Sequence, residues 1–188
     1  MFDKYGEFDS AKEINDKAEE LFNDGQMDEI YVLAAENGIE KEMAEAYIQG
    51  DLPELCDITD AALGKIDVEA ADLGAEEIME DWIDYVRALA GRDLIIAANV
   101  RRKGRTLKGC VASLLLWGIE HMEPVDKEII AQAKKQLKTS KTKPKIPGFQ
   151  PAFLDRTALG IPGMGRAMKM IKEYYAREES NEGIQNVQ

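Results

Sequence analysis

The feature that most constrains this chain is an apolar period of three to four residues, restarted repeatedly behind residues that cap or stop helices. Residues 75–89 show it most clearly. At ~100° per residue, Ile78, Met79, Trp82, Ile83, Val86 and Leu89 fall on one arc, and Glu76, Glu77, Glu80, Asp81 and Asp84 fill the opposite one. Upstream, Ser10-Ala11-Lys12-Glu13 spells a capping box, in which the serine hydroxyl accepts from the Glu13 amide and the glutamate reaches back. Ala11, Ile14, Ala18, Leu21 and Phe22 then form one stripe that ends at Gly25. Further helices are predicted over 27–36, with Asn37-Gly38 as the stop, and over 40–49, closed by Gly50. Pro53 suits the first turn of a fourth helix running toward Ala71.

Beyond residue 90, helices are predicted from Asp93 to before Gly104, over 106–121 and over 126–137. The 106–121 segment is apolar nearly all round, through Cys110, Val111, Leu114, Leu115, Leu116, Trp117 and Ile119, which predicts a central core helix. Trp82, Leu114, Leu115 and Trp117 are therefore expected in one core. Residues 138–160 change character, with Lys141, Lys143 and Lys145 set among Pro144, Pro147 and Pro151 and no periodicity, and read as a basic extended connection. A last helix is predicted over 165–176, with Met168, Ile171 and Tyr175 on its stripe. No alternating strand pattern emerges; there is room at most for a short pair in the connection. The expectation is an all-α protein, a compact multi-helix bundle of short helices with a basic extended connection before the last helix. It divides into an acidic helical core (1–137), the connection (138–160), a C-terminal helix packing on the core (161–178) and a flexible tail (179–188).

Charge is distributed unevenly. Residues 1–100 hold 27 acids and 7 bases (−20), and residues 101–188 hold 9 acids and 17 bases (+8), which together give the net −12 of the 188-residue chain. Such asymmetry points to two surfaces of opposite sign. Acidic helices can also serve solubility alone. The longest apolar run, 111–119, is too short to span a bilayer, and the opening residues form no secretory signal. Cys56 and Cys110 stand far apart in no metal or redox pattern, and are expected as reduced, buried thiols of a cytoplasmic protein.

Catalytic signatures are mostly absent. His121 is the only histidine and sits near a predicted helix end; HExxH, GxSxG and DxDxDG patterns do not occur. No catalytic residue, metal site or cofactor is expected, and the chain is read as not an enzyme. Gly160, Gly163 and Gly165 precede the last helix, but without a GK[ST] ending or GxGxxG spacing they read as a turn rather than a nucleotide loop. Two charged constellations remain. Arg101, Arg102, Lys103, Arg105 and Lys108 cluster at a helix–helix turn. They could neutralise phosphates, suit a helix C-terminus, or pair internally with the acidic half. The acidic face of 76–84 places five carboxylates along ~12 Å of helix, one per ~2.5–3 Å. Duplex DNA carries one charge per ~3.4 Å on each strand, so the face has the linear charge density of a phosphate backbone.

Several segments together resemble a known family: MFDKYGEFDSAKEIN, ENGIEKEMAEAYIQGDLPELCDITDAALGKIDVEA, EIMEDWIDYV, LKGCVASLLLW and LGIPGMGRAMKMIKEYY. They resemble the small proteins, carried by phages and mobile elements of gut Firmicutes, that include a type II-A anti-CRISPR inhibitor of Cas9. The resemblance spans most of the chain apart from the lysine- and proline-rich connection. It implies a protein that binds Cas9, apo or guide-loaded, and blocks target DNA binding or cleavage. Cas9 holds nucleic acid in positively charged channels, which an acidic helical surface could enter as a DNA mimic. A second expectation, from the basic C-terminal half, is a nucleic-acid-binding accessory protein of a mobile element.

Overall fold

The computed structural model describes residues 2–141, 144 and 147–176. Lys143 and Lys145 of the connection, and the tail 179–188, lie outside the described residues. Among the described residues, nine α-helices follow an irregular N-terminal strap: α1 (Ala11–Asn23), α2 (Met27–Glu36), α3 (Lys41–Gln49), α4 (Ile58–Leu73), α5 (Ile78–Ala90), α6 (Leu94–Arg101), α7 (Leu107–Glu120), α8 (Lys127–Thr139) and α9 (Met164–Ala176). The described residues add a 3-10 helix (Pro151–Arg156) and two short strands, β1 (Glu123–Pro124) and β2 (Ala158–Leu159), paired antiparallel. The protein is all-α. No helix among the described residues is long and apolar enough to cross a membrane.

Local chemistry sets most boundaries. The Ser10 hydroxyl accepts from the Glu13 amide at 3.2 Å. The Glu13 carboxylate takes the Asp9 amide at 2.7 Å, one residue earlier than the capping-box pattern predicts. Asp57 and Asp60 form a reciprocal box that starts α4 at Ile58, so the fourth helix begins after Pro53 rather than at it. Pro53 sits instead in the bends of 51–55. Asp93, Thr106 and Asp126 cap α6, α7 and α8 through their side chains.

Two hydrophobic cores share α4. Ile14, Leu21, Ile30, Leu33 and Leu55 form the first, with Ala61 of α4. Trp82, Ile83, Val86, Leu107, Leu114, Ile171 and Tyr175 build the second, with Ala62 and Ile66 of α4. Consecutive residues on a helix point ~100° apart, so Ala61 and Ala62 serve different cores. Each large apolar side chain buried here stabilises by roughly 1.5–3 kcal/mol. The α2–α3 turn meets α4 backbone to backbone: a Cβ on Gly64 would overlap the Asn37 carbonyl oxygen, and Gly38 holds φ +66 against the same spot.

Three further expectations change. Helix α5 starts at Ile78, not 75, because the chain reverses between α4 and α5 and Glu77 takes φ 56. Helix α7 is not buried all round. It buries Leu107, Cys110, Leu114 and Gly118, and its far side faces solvent, so Trp82 and Leu114 share a core that excludes exposed Leu115 and half-buried Trp117. The segment 138–160 is not wholly extended: it completes α8, forms the 3-10 helix and supplies β2.

Candidate macromolecular interface

The acidic face is the first candidate. Glu76, Glu77, Glu80, Asp81 and Asp84 are all exposed. Because α5 starts at Ile78, Glu76 and Glu77 lie on the turn before it, and the five carboxylates do not form one straight helical row. Glu76, Glu77, Glu80 and Asp81 instead surround an open, shallow depression with Ile78 at its edge. Asp84 turns away from this group to Arg87, at 2.7 Å, and Arg87 also bonds Asp67 of α4 at 2.7 Å. That pairing uses part of the face to tie α5 to α4. Further acids of the N-terminal half are paired: Glu29 with Lys4 and with the Tyr5 hydroxyl at 2.6 Å, Glu45 with Lys41 at 3.0 Å.

The basic cluster is mostly turned inward. Arg101 is 1% exposed and donates to the Asn37 side-chain oxygen at 2.6 Å. Arg105 is 9% exposed and donates to the Tyr174 carbonyl at 2.7 Å, a free carbonyl in the last turn of α9. The Lys103 amide donates to Asp9 at 2.9 Å and its ammonium lies 3.8 Å from Glu13. Lys108 lies 3.8 Å from Asp72. Arg102 points to solvent while its carbonyl accepts from Lys65 at 2.9 Å. Of the sequence alternatives, internal pairing with the acidic half describes the geometry; Arg101 and Arg105 are out of reach of a phosphate backbone.

This inward turn builds a network that sequence reasoning missed. Lys65 of α4 is 1% exposed, pairs with Glu7 of the strap, and lies 3.7 Å from Glu69. Glu69 accepts the buried Leu107 amide, the first amide of α7. Burial pushes the Glu69 carboxyl up, against the opposing pull of the Leu107 amide and Lys65. Burial likewise draws the Arg101 guanidinium down, against the nearby Glu7. Arg101 Nε and Nη1 have no hydrogen-bond partner among the described residues. The legible signal was position: Lys65 and Glu69 lie on the stripe of Ala61, Ala62 and Ile66, where a charge must be paired.

Other sequence candidates are structural. Cys56 and Cys110 are free and buried, and desolvation pushes both thiols up to about 12. His121 stacks on Trp117 with ring centroids 4.2 Å apart, and the Arg166 guanidinium lies over the Trp117 ring at 5.8 Å from its centroid. No group of metal-ligating side chains occurs among the described residues. Comparisons with family models, curated proteins and solved structures return no match.

Proposed function

We propose that this chain is a non-catalytic, Cas9-binding inhibitor of the anti-CRISPR kind, acting in the cytoplasm of a bacterial host and docking through acidic surface. The observation that carries the reading is how unequally the two charge signs are used. The named acids of 76–81 face outward around one depression with no ion-pair partner among the described residues, whereas Arg101 and Arg105 are folded inside. An outward acidic surface on a chain of net −12 would be steered toward basic channels that otherwise hold nucleic acid. The family resemblance supplies the identity of the partner. A nucleic-acid-binding accessory protein is the weaker reading, because two of the five bases it would use are buried.

Co-purification with Cas9, apo and guide-loaded, tests the partner. Reversing Glu76, Glu77, Glu80 and Asp81 to lysine tests the surface. The variant should keep its helicity, slow association with Cas9 most at low salt, and weaken inhibition. Wild-type affinity and salt dependence in the variant would place the contact elsewhere; failure of the wild-type chain to bind Cas9 in either state would end the reading.

A further inference from the structure

Residues 127–141 hold five lysines and one acid, Glu128, a local +4 in a chain of net −12. Four of those lysines lie on α8. At ~100° per residue, Lys127, Lys134, Lys135 and Lys138 fall within one arc of ~100°, with only Ala131 among them and Glu128 at its rim. The apolar residues of α8 lie on the far side, where Ile130 is buried. Lys127, Lys135 and Lys138 are exposed and have no ion-pair partner among the described residues. Lys134 pairs with Asp155 of the 3-10 helix at 2.6 Å. Helix stability does not account for this arrangement. Lys138 in the last turn suits the negative end of the helix, but Lys127 is the first residue of α8, where a cation opposes the dipole. Lys134 and Lys135 each stand three or four residues before Lys138, and such like-charge neighbours cost a helix roughly 0.2–0.5 kcal/mol per pair. The arc thus holds bases that face water, in contrast to Arg101 and Arg105, which are folded inside.

We propose that this arc of α8 docks on the phosphate backbone of duplex nucleic acid, without reading its sequence. The composition of the arc selects that partner. An interface with another protein draws its energy from aromatic and large apolar anchors buried at its centre, and a single strand is held by stacking its bases on aromatic rings. The arc has neither kind of side chain; its only uncharged member is Ala131. A row of phosphates asks for nothing beyond positioned cations. The length also fits. Lys127 to Lys138 is eleven steps, ~16 Å of helix, which runs past about five phosphates of one strand at ~3.4 Å each. Lys134 exchanges Asp155 for a phosphate at little cost, because the carboxylate of that pair is exposed. The strongly acidic N-terminal half is repelled by the same backbone, which turns α8 toward the duplex. This surface shares no residue with the acids of 76–84 or the bases of 101–108, and it does not depend on the Cas9 reading.

Fluorescence anisotropy of the full chain with a labelled DNA duplex of about 20 base pairs, without Cas9, reads the contact directly. The wild-type chain should bind at low salt with a dissociation constant on the order of 10–100 µM, and log K should fall against log salt with a slope of about −3 to −4, roughly 0.9 for each lysine engaged. Lys127→Gln, Lys135→Gln and Lys138→Gln together should preserve the circular dichroism spectrum, weaken binding by about tenfold or more and flatten the slope to about −1. Lys12→Gln, Lys41→Gln and Lys169→Gln together change the net charge equally and should leave the slope unaltered. A wild-type chain that does not bind the duplex at low salt overturns the proposal, as does a loss in the second triple variant equal to that in the first. A single strand of the same sequence bound as tightly overturns the assignment to a duplex. If the wild type binds no duplex and the α8 variant loses Cas9 binding, the arc belongs to a protein partner and the proposal falls. Duplex binding that behaves as expected in a chain that does not bind Cas9 upholds this inference and ends the other.

Discussion

Buried charge is where single residues matter most in this protein. Glu69 holds the Leu107 amide and faces Lys65, whereas Arg101 makes one hydrogen bond through Nη2 and leaves two nitrogens unpaired among the described residues. The two should therefore respond unequally to apolar replacement. Glu69→Leu strips a buried amide of its acceptor and should cost roughly 1–3 kcal/mol. Arg101→Met orphans the buried Asn37 side-chain oxygen but also removes a poorly satisfied buried cation, so it should cost less than Glu69→Leu. Urea unfolding of both variants checks this, and the reverse order would refute it. The cysteines set the alkaline limit. Their thiols sit at about 12 in the folded chain against an ordinary 9.0, so the neutral form is the one the fold favours. That contribution is complete below pH 9 and is lost as pH rises toward 12, because the unfolded chain ionises first. Stability should fall across that window, and native Cys56 and Cys110 should resist thiol reagents at neutral pH, reacting fully only in denaturant.

At the scale of elements, burial decides what periodicity cannot. Helix α7 reads as apolar on all sides, yet α4, α5 and α9 cover only part of it. Leu114, fully buried, should cost roughly 2–5 kcal/mol on truncation to alanine. Trp117→Ala should cost less than Leu114→Ala despite the larger side chain, since Trp117 is half-buried and stacks outward on His121. Thermal unfolding of the pair would show which holds. The start of α5 offers a second test. Glu77 adopts φ 56 and ψ −124, a conformation natural to glycine and costly to a residue with a Cβ. Glu77→Gly should stabilise the protein by on the order of 1 kcal/mol, while Glu80→Gly, inside the helix, should destabilise it by a similar amount.

At the scale of the whole molecule, the two cores are joined through α4, the Gly38–Gly64 contact and the pairing of Arg101 with Asn37. Net charge acts on this assembly as a single field. Of −12 overall, the first hundred residues carry −20, and many of their acids are exposed. Self-repulsion among them opposes compaction and is screened within ~10 Å at 0.1 M salt. Raising salt from low to moderate ionic strength should therefore raise the melting temperature by a few degrees. A falling melting temperature would mean that surface ion pairs such as Lys12–Asp16 and Lys41–Glu45 outweigh the repulsion.

The sequence by itself determined the helical class, the existence of each α-helix and the outward placement of the acids at 76–84. These follow from neighbours three or four residues apart: Ser10 with Glu13, Gly50 in the left-handed region closing α3, the stripe of Trp82, Ile83 and Val86. Only the tertiary structure decided which way the bases at 101–105 turn, because Arg101 answers to Asn37 and Arg105 to Tyr174, each more than sixty residues away. The same holds for α7. An apolar helix announces that it must be covered, but which of its faces this chain covers depends on where α4, α5 and α9 come to rest. That is settled by packing between distant segments and not by any local period.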